Sequence, residues 1–162
     1  MPGSSLILDG SYRMVENELM TEFQRLYAGR LWSVMSWEQL TAFWQRIDPA
    51  AGWYLYAVGE PPPEATASGN GVTHFVQRID ELLRREHHEK YCGIVYADDL
   101  ERPSFVKIYD PNHLGSSCGS GNHPLLPGWI MSRVPPLDLK PARPAPEGRR
   151  RWWQAFIGSQ SA

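Results

Sequence analysis

A chain of 162 residues with 42% hydrophobic and 21% charged residues has the size and composition of one ordinary domain, which excludes disorder throughout. Two cysteines exclude a disulfide framework, and a net charge of −2 argues against a general nucleic-acid binder. The charge is unevenly placed: residues 1–137 carry eleven Lys/Arg and sixteen Asp/Glu, whereas residues 138–162 carry five and two. An acidic body with a basic end points to a separate partner or surface for that end.

The opening stretch MPGSSLILDGSYRM has neither a basic n-region nor a long apolar h-region, so no signal peptide is expected. No apolar run approaches the roughly 18 residues that a membrane span needs. A cytoplasmic location with reduced thiols is the expectation, a Cys92–Cys118 disulfide the lesser alternative.

In chain order, a first helix is expected from Met14 to Ala28. Val15, Leu19, Phe23 and Leu26 share one face, Glu16, Glu18 and Glu22 come early and Arg25 late, and Gly29 stops it. A second helix opens at Ser36, where Gln39 completes a capping box; Trp37, Leu40, Trp44 and Ile47 form its apolar face, with Phe43 beside it, and Asp48-Pro49 ends it. GWYLYAVGE (52–60) is dense in aromatic and β-branched residues between glycines and predicts a strand. The linker PPPEATASGNG (61–71) predicts no regular structure. The third helix, Val72 to Glu86, sets Val72, Phe75, Val76, Ile79, Leu82 and Leu83 on one face and charged residues on the other.

KYCGIVYAD (90–98) and PSFVKIYD (103–110) predict a hairpin joined around DLERP, with Phe105 and Lys107 facing one way and Val106 and Ile108 the other. A short strand, GWIMSRV (128–134), follows a long loop. Five prolines between Pro135 and Pro146 then predict an extended segment that leaves the domain. The fold class expected is α+β: a small, mostly antiparallel sheet of about four strands with three helices packed on one face, plus an extended proline-rich C-terminal tail. This divides the chain into a domain over 1–134, a tether over 135–148 and a basic-aromatic segment over 149–162.

Candidate chemistry concentrates in DPNHLGSSCGSGNHPLLPGW, residues 110–129. GSSCG matches G-x-S-x-G with Ser117 in the nucleophile position, but no helix follows to make the sharp turn which that motif requires. Cys118 is the better nucleophile, with His113 or His123 as base. An oxyanion loop of the phosphatase type needs arginine six residues after the cysteine, and Pro124 stands there. His113, Cys118 and His123 are spaced H-x4-C-x4-H, and His87, His88 and Cys92 form a second small group; zinc accepts both ligand types, although neither spacing is a finger pattern. A histidine pair at a helix C-terminus is more simply a solvated last turn. Gly119 and Gly121 lack the third glycine and the helix of a dinucleotide loop. The plainest reading is a glycine-rich loop of φ > 0 turns, and such loops on rigid scaffolds commonly bind.

Asp98, Asp99 and Glu101 suit either a divalent cation or a polar hairpin tip, and Trp37, Trp44, Trp53 and Trp129 read as core. The tail does not fit the core reading. Arg149, Arg150 and Arg151 precede Trp152, Trp153, Phe156 and Ile157, a pattern that suits docking on a protein partner, lying at an anionic membrane surface, or folding back on the acidic body.

The sequence therefore leads to a small cytoplasmic, non-catalytic accessory protein that binds a larger enzyme or assembly, with no cofactor and no nucleic-acid partner. Its partner-binding candidates are Arg149, Arg150, Arg151, Trp152, Trp153, Phe156 and Ile157 of the tail and Asn112, His113, Cys118 and His123 of the loop. The alternative is a thiol-dependent enzyme or metal-binding protein centred on Cys118 with His113 and His123.

Overall fold

The computed structural model describes residues 19–113, 125–141 and 144–160. In chain order the elements are α1 (Glu22–Ala28), β1 (Trp32–Val34), α2 (Trp37–Gln45), β2 (Tyr54–Ala57), α3 (Gly69–Glu86), β3 (Val95–Ala97), β4 (Phe105–Ile108), a 3-10 turn (Pro111–His113), β5 (Trp129–Ser132) and α4 (Glu147–Gln160). The strands form one sheet in the order β1-β3-β4-β5-β2, antiparallel at every step. The class is α+β, with a fifth strand and a fourth helix beyond those expected.

Because side chains alternate along a strand, the register sorts the sheet into two faces. One row runs Val34–Val95–Ile108–Trp129–Ala57 and belongs to the main core with the side chains of α2, α3 and α4. The neighbouring row runs Ser33–Tyr96–Lys107–Ile130–Tyr56 on the opposite face, where Phe23 of α1 joins Tyr56, Val58, Phe105 and Ile130 in a second, smaller core. The opposite facings of Phe105/Lys107 and Val106/Ile108 are as expected. So is the buried face of α3, whose Phe75, Ile79, Leu82 and Leu83 are wholly covered. Gly52 and Gly59 bracket β2 with φ of 91° and 105°, turns that a side chain strains.

Several expectations are corrected. The first helix begins at Glu22: Thr21 is its N-cap, and Thr21 and Gln24 make a reciprocal capping box that is already written in the sequence as T-x-x-Q. Leu19 is largely exposed, not part of the helix's buried face, and residues 14–18 lie outside the described residues. The Ser36–Gln39 box of α2 is present as expected. The third helix starts three residues early, because the Ser68 hydroxyl accepts from the Gly71 N–H and draws Gly69-Asn70-Gly71 into its first turn.

The helices are not all on one face. α2, α3 and α4 cover the main face and α1 covers the other. Nor does the proline segment leave the domain. Its described part is a strap: Pro136 is buried, Leu139 packs in the second core, and the Leu139 N–H donates to the buried Tyr56 hydroxyl at 3.0 Å. Beyond it Pro141 and Ala145 press against Gly59 at the end of β2, so the strap crosses from the second face to α4 on the main face. There Trp153 and Phe156 are buried against Phe75, with ring centroids 6.2 and 5.7 Å away. Of the three uses weighed for the tail, folding back is the one these residues serve.

Candidate functional site

The two features singled out by sequence meet at one place. Arg149, in the first turn of α4, reaches across to Asp110, at the start of the loop, and to Glu86, the last residue of α3. Its Nε donates to Asp110 Oδ2 at 2.8 Å and its Nη2 to Asp110 Oδ1 at 3.1 Å. The same guanidinium gives Nη2 to Glu86 Oε1 at 2.6 Å and Nη1 to Glu86 Oε2 at 3.1 Å. All three nitrogens are used, in the forked geometry that suits arginine and not lysine. The plane lies over the Trp129 ring, 5.8 Å from its centroid, and Trp152 meets Trp129 edge-on at 5.7 Å.

The loop stem joins the same network. Asn112 Nδ2 donates to Glu86 Oε1 at 3.0 Å, and the Asn112 N–H donates to Asp110 Oδ1 at 2.9 Å. The His113 N–H donates to the Asp110 carbonyl, closing the 3-10 turn. Gly128, at the far end of the loop, makes room for Asp110: a side-chain Cβ there would stand 3.1 Å from the Asp110 Cβ.

Helix electrostatics alone disfavours this arrangement, since Glu86 is an anion at a helix C-terminus and Arg149 a cation near a helix N-terminus. Their pairing offsets both. Hydrogen bonding to Arg149 holds the Glu86 carboxyl below the usual range against a smaller burial effect. Burial disfavours the Arg149 charge, but Asp110 and Glu86 outweigh it and keep the guanidinium fixed as a cation.

The other sequence candidates fall out as follows. Arg150 and Arg151 are exposed, Ile157 is 46% exposed, and Trp152 is half-buried. Trp153 and Phe156 are buried in the chain's own core, and Arg149 is paired with Asp110 and Glu86. Asn112 and His113 lie at the loop's near end, and Cys118 and His123 lie outside the described residues. The second histidine-cysteine group is structural. His87 is not a solvated turn residue: it folds inward, with Nε2 2.9 Å from the Cys92 carbonyl and Trp37 edge-on at 5.8 Å. Burial pushes the Cys92 thiol up, which disfavours its reactive thiolate.

Asp98 and Asp99 are occupied by their own hairpin tip. Asp98 accepts from the Ser104 hydroxyl and from the Ser104 and Phe105 N–H groups, and Asp99 from the N–H groups of Glu101 and Arg102. Among the described residues no group of three His, Cys, Asp or Glu side chains is placed to hold a metal ion. Trp44, Trp53 and Trp129 are core residues, while Trp37 sits partly covered at its edge.

Glu86 is the site residue that sequence reasoning missed, and Asp110 and Trp129, inside the 110–129 stretch, were given no role at the site. The signal was there in part, since acidic Glu86 and basic Arg149 both stand at helix ends against the dipole preference. No protein-family model matches the chain, and no match is found among curated proteins or solved structures.

Proposed function

We propose that this chain is a small, non-catalytic, cytoplasmic interaction protein, and that it binds a larger protein through one composite surface. That surface joins the 112–127 loop, whose candidate residues are Asn112, His113, Cys118 and His123, to the outward side of α4, with Arg150, Arg151 and Ile157. The observation that carries the reading is the Arg149 clamp, which fastens the start of α4 to the stem of the loop. Rigid anchoring lowers the ordering cost of binding, and the exposed arginines steer an acidic partner.

A protein partner suits α4 better than a membrane surface. Its aromatic face is turned inward, and its outward side offers Arg150, Arg151 and Gln154 with Ile157 as the large apolar group. Among the described residues no helix is long and apolar enough to cross a membrane.

The test compares Cys118→Ser with a chain whose 114–124 segment is shortened. Partner capture that survives Cys118→Ser and weakens on shortening supports the reading. Loss of function in Cys118→Ser, with fast alkylation of Cys118 near neutral pH or bound zinc in the purified protein, overturns it in favour of thiol or metal chemistry.

A further inference from the structure

The second sheet face holds a group that neither the fold nor the proposed surface uses. Lys107 stands in the middle of β4, the central strand, and is 9% exposed. Lysine is seldom covered to this degree without a carboxylate beside it, because an unpaired ammonium taken from water is costly. The ion pairs among the described residues are all made by arginines, and Lys107 has no hydrogen-bond partner there. Its Nζ lies instead 3.6 Å from the centroid of the Tyr27 ring, a cation–π contact supplied by the seven-residue α1.

Two further phenols stand near Lys107 in the sheet. Tyr96 is its direct cross-strand neighbour on β3, and Tyr109, two residues further along the same chain, meets the Tyr96 ring edge-on at 5.6 Å. The hydroxyls of Tyr27, Tyr96 and Tyr109 have no hydrogen-bond partner among the described residues. None of these groups is fully covered, because among the described residues the fully covered side-chain polar atoms without a partner are Ser33 Oγ and Glu60 Oε1. Ser33 belongs to the same cross-strand row, on the far side of Tyr96 from Lys107. Among the described residues, the face thus combines a cation without a carboxylate partner with hydroxyls that are not fully covered.

Burial pushes Tyr27 up to about 12 and raises Tyr109, and the ionisation of each is further opposed by a neighbouring phenol. Near neutral pH these phenols are donors. Burial also draws the Lys107 amine downward, which an arriving anion would reverse. One ammonium among neutral donors matches a single negative charge better than a dianion.

We propose that the cluster of Lys107, Tyr27, Tyr96 and Tyr109 is a binding site for a carboxylate, which pairs with the Lys107 ammonium and accepts from the neighbouring hydroxyls. The carboxylate belongs either to a small organic acid or to a peptide.

Lys90, Lys107 and Lys140 are the lysines of the whole chain, so the amines are resolved one by one after reductive methylation with carbon-13, which keeps their charge. Signals are assigned with Lys107→Gln and followed at constant ionic strength. The probes are acetate, benzoate, inorganic phosphate, and a short peptide with a free or an amidated C-terminus. The Lys107 signal should shift saturably with carboxylates, and its titration midpoint should rise, while Lys90 and Lys140 stay still. Tyr96→Phe and Tyr109→Phe keep the rings and should each weaken binding about two- to tenfold, as loss of one hydrogen bond does. Saturation by acetate or benzoate assigns a small acid; saturation by the free-ended peptide alone assigns a protein carboxylate. Equal shifts at all three lysines, no shift with any probe, or tighter binding of phosphate than of every carboxylate would overturn the proposal.

Discussion

Replacing Trp153 with alanine tests whether α4 is a structural part of the domain. The side chain is 6% exposed and touches Phe75, Phe156 and Trp152. A tryptophan covers roughly 150–250 Å² on burial, and at about 25 cal/mol per Å² this is about 4–6 kcal/mol as an upper estimate. Mutational series for buried aromatics give about 3–5 kcal/mol, cavity included. For a chain of this size each kcal/mol lowers the melting temperature by about 2–4 °C, so the expected fall is about 6–20 °C.

The assay is thermal and urea unfolding followed by near-ultraviolet circular dichroism, with Gln154→Ala as an exposed control on the same helix. That control should stay within about 0.5 kcal/mol of the parent. A Trp153→Ala midpoint that matches the control would refute the packing of α4. A two-step transition would show that α4 undocks as a separate unit, and the loss would then be capped at its docking free energy.

Three further outcomes follow from the same contacts. The Glu86 carboxyl is held low by Arg149, so its contribution is present above about pH 4.3, the unfolded value, and is lost as pH falls through the lowered one. Glu86→Gln should therefore flatten the acid limb of the stability profile, and an unchanged limb would argue against the clamp. Tyr27, raised to about 12, should be among the last tyrosines to ionise in an ultraviolet titration. Its share of stability holds up to about pH 10 and is lost as pH rises through the folded value, a loss that Tyr27→Phe removes. In a Cys118→Ser background the buried Cys92 should alkylate only as fast as the chain opens; labelling that is quick in the folded protein would contradict its burial.

Much of the fold was legible because it rests on period and capping. The apolar stripe of α3 and the Ser36–Gln39 box are local signals, and local signals predicted them. The strand β1 was missed because Trp32–Val34 is three residues long, too short for alternation to declare itself, and its place is set by pairing with β3 some 60 residues away. The strap and α4 were misread for a different reason. Proline density argues against helix and strand, and 135–141 forms neither, but it says nothing about whether that chain adheres to a surface. Its adhesion depends on the buried Tyr56 hydroxyl and on Gly59, and only the folded sheet brings these to the strap.

At the candidate site, the loop and the arginines were recognised as chemistry-bearing, whereas Glu86 passed for one more charge on the polar side of a helix. The tyrosine–lysine cluster was invisible because it is assembled from a helix, two strands and the residue after one of them. Lys107 was placed on the correct face without any sign that no carboxylate among the described residues would pair with it.

The central claim, one composite surface built from the 112–127 loop and the outward side of α4, is met most directly by quantitative capture of the bound partner with two variants. One carries Arg150→Ala, Arg151→Ala and Ile157→Ala, and the other the shortened 114–124 loop, with the melting temperature of each measured alongside. The account predicts that both lose the same partner while their melting temperatures stay near that of the parent. Undiminished capture by either variant would contradict it.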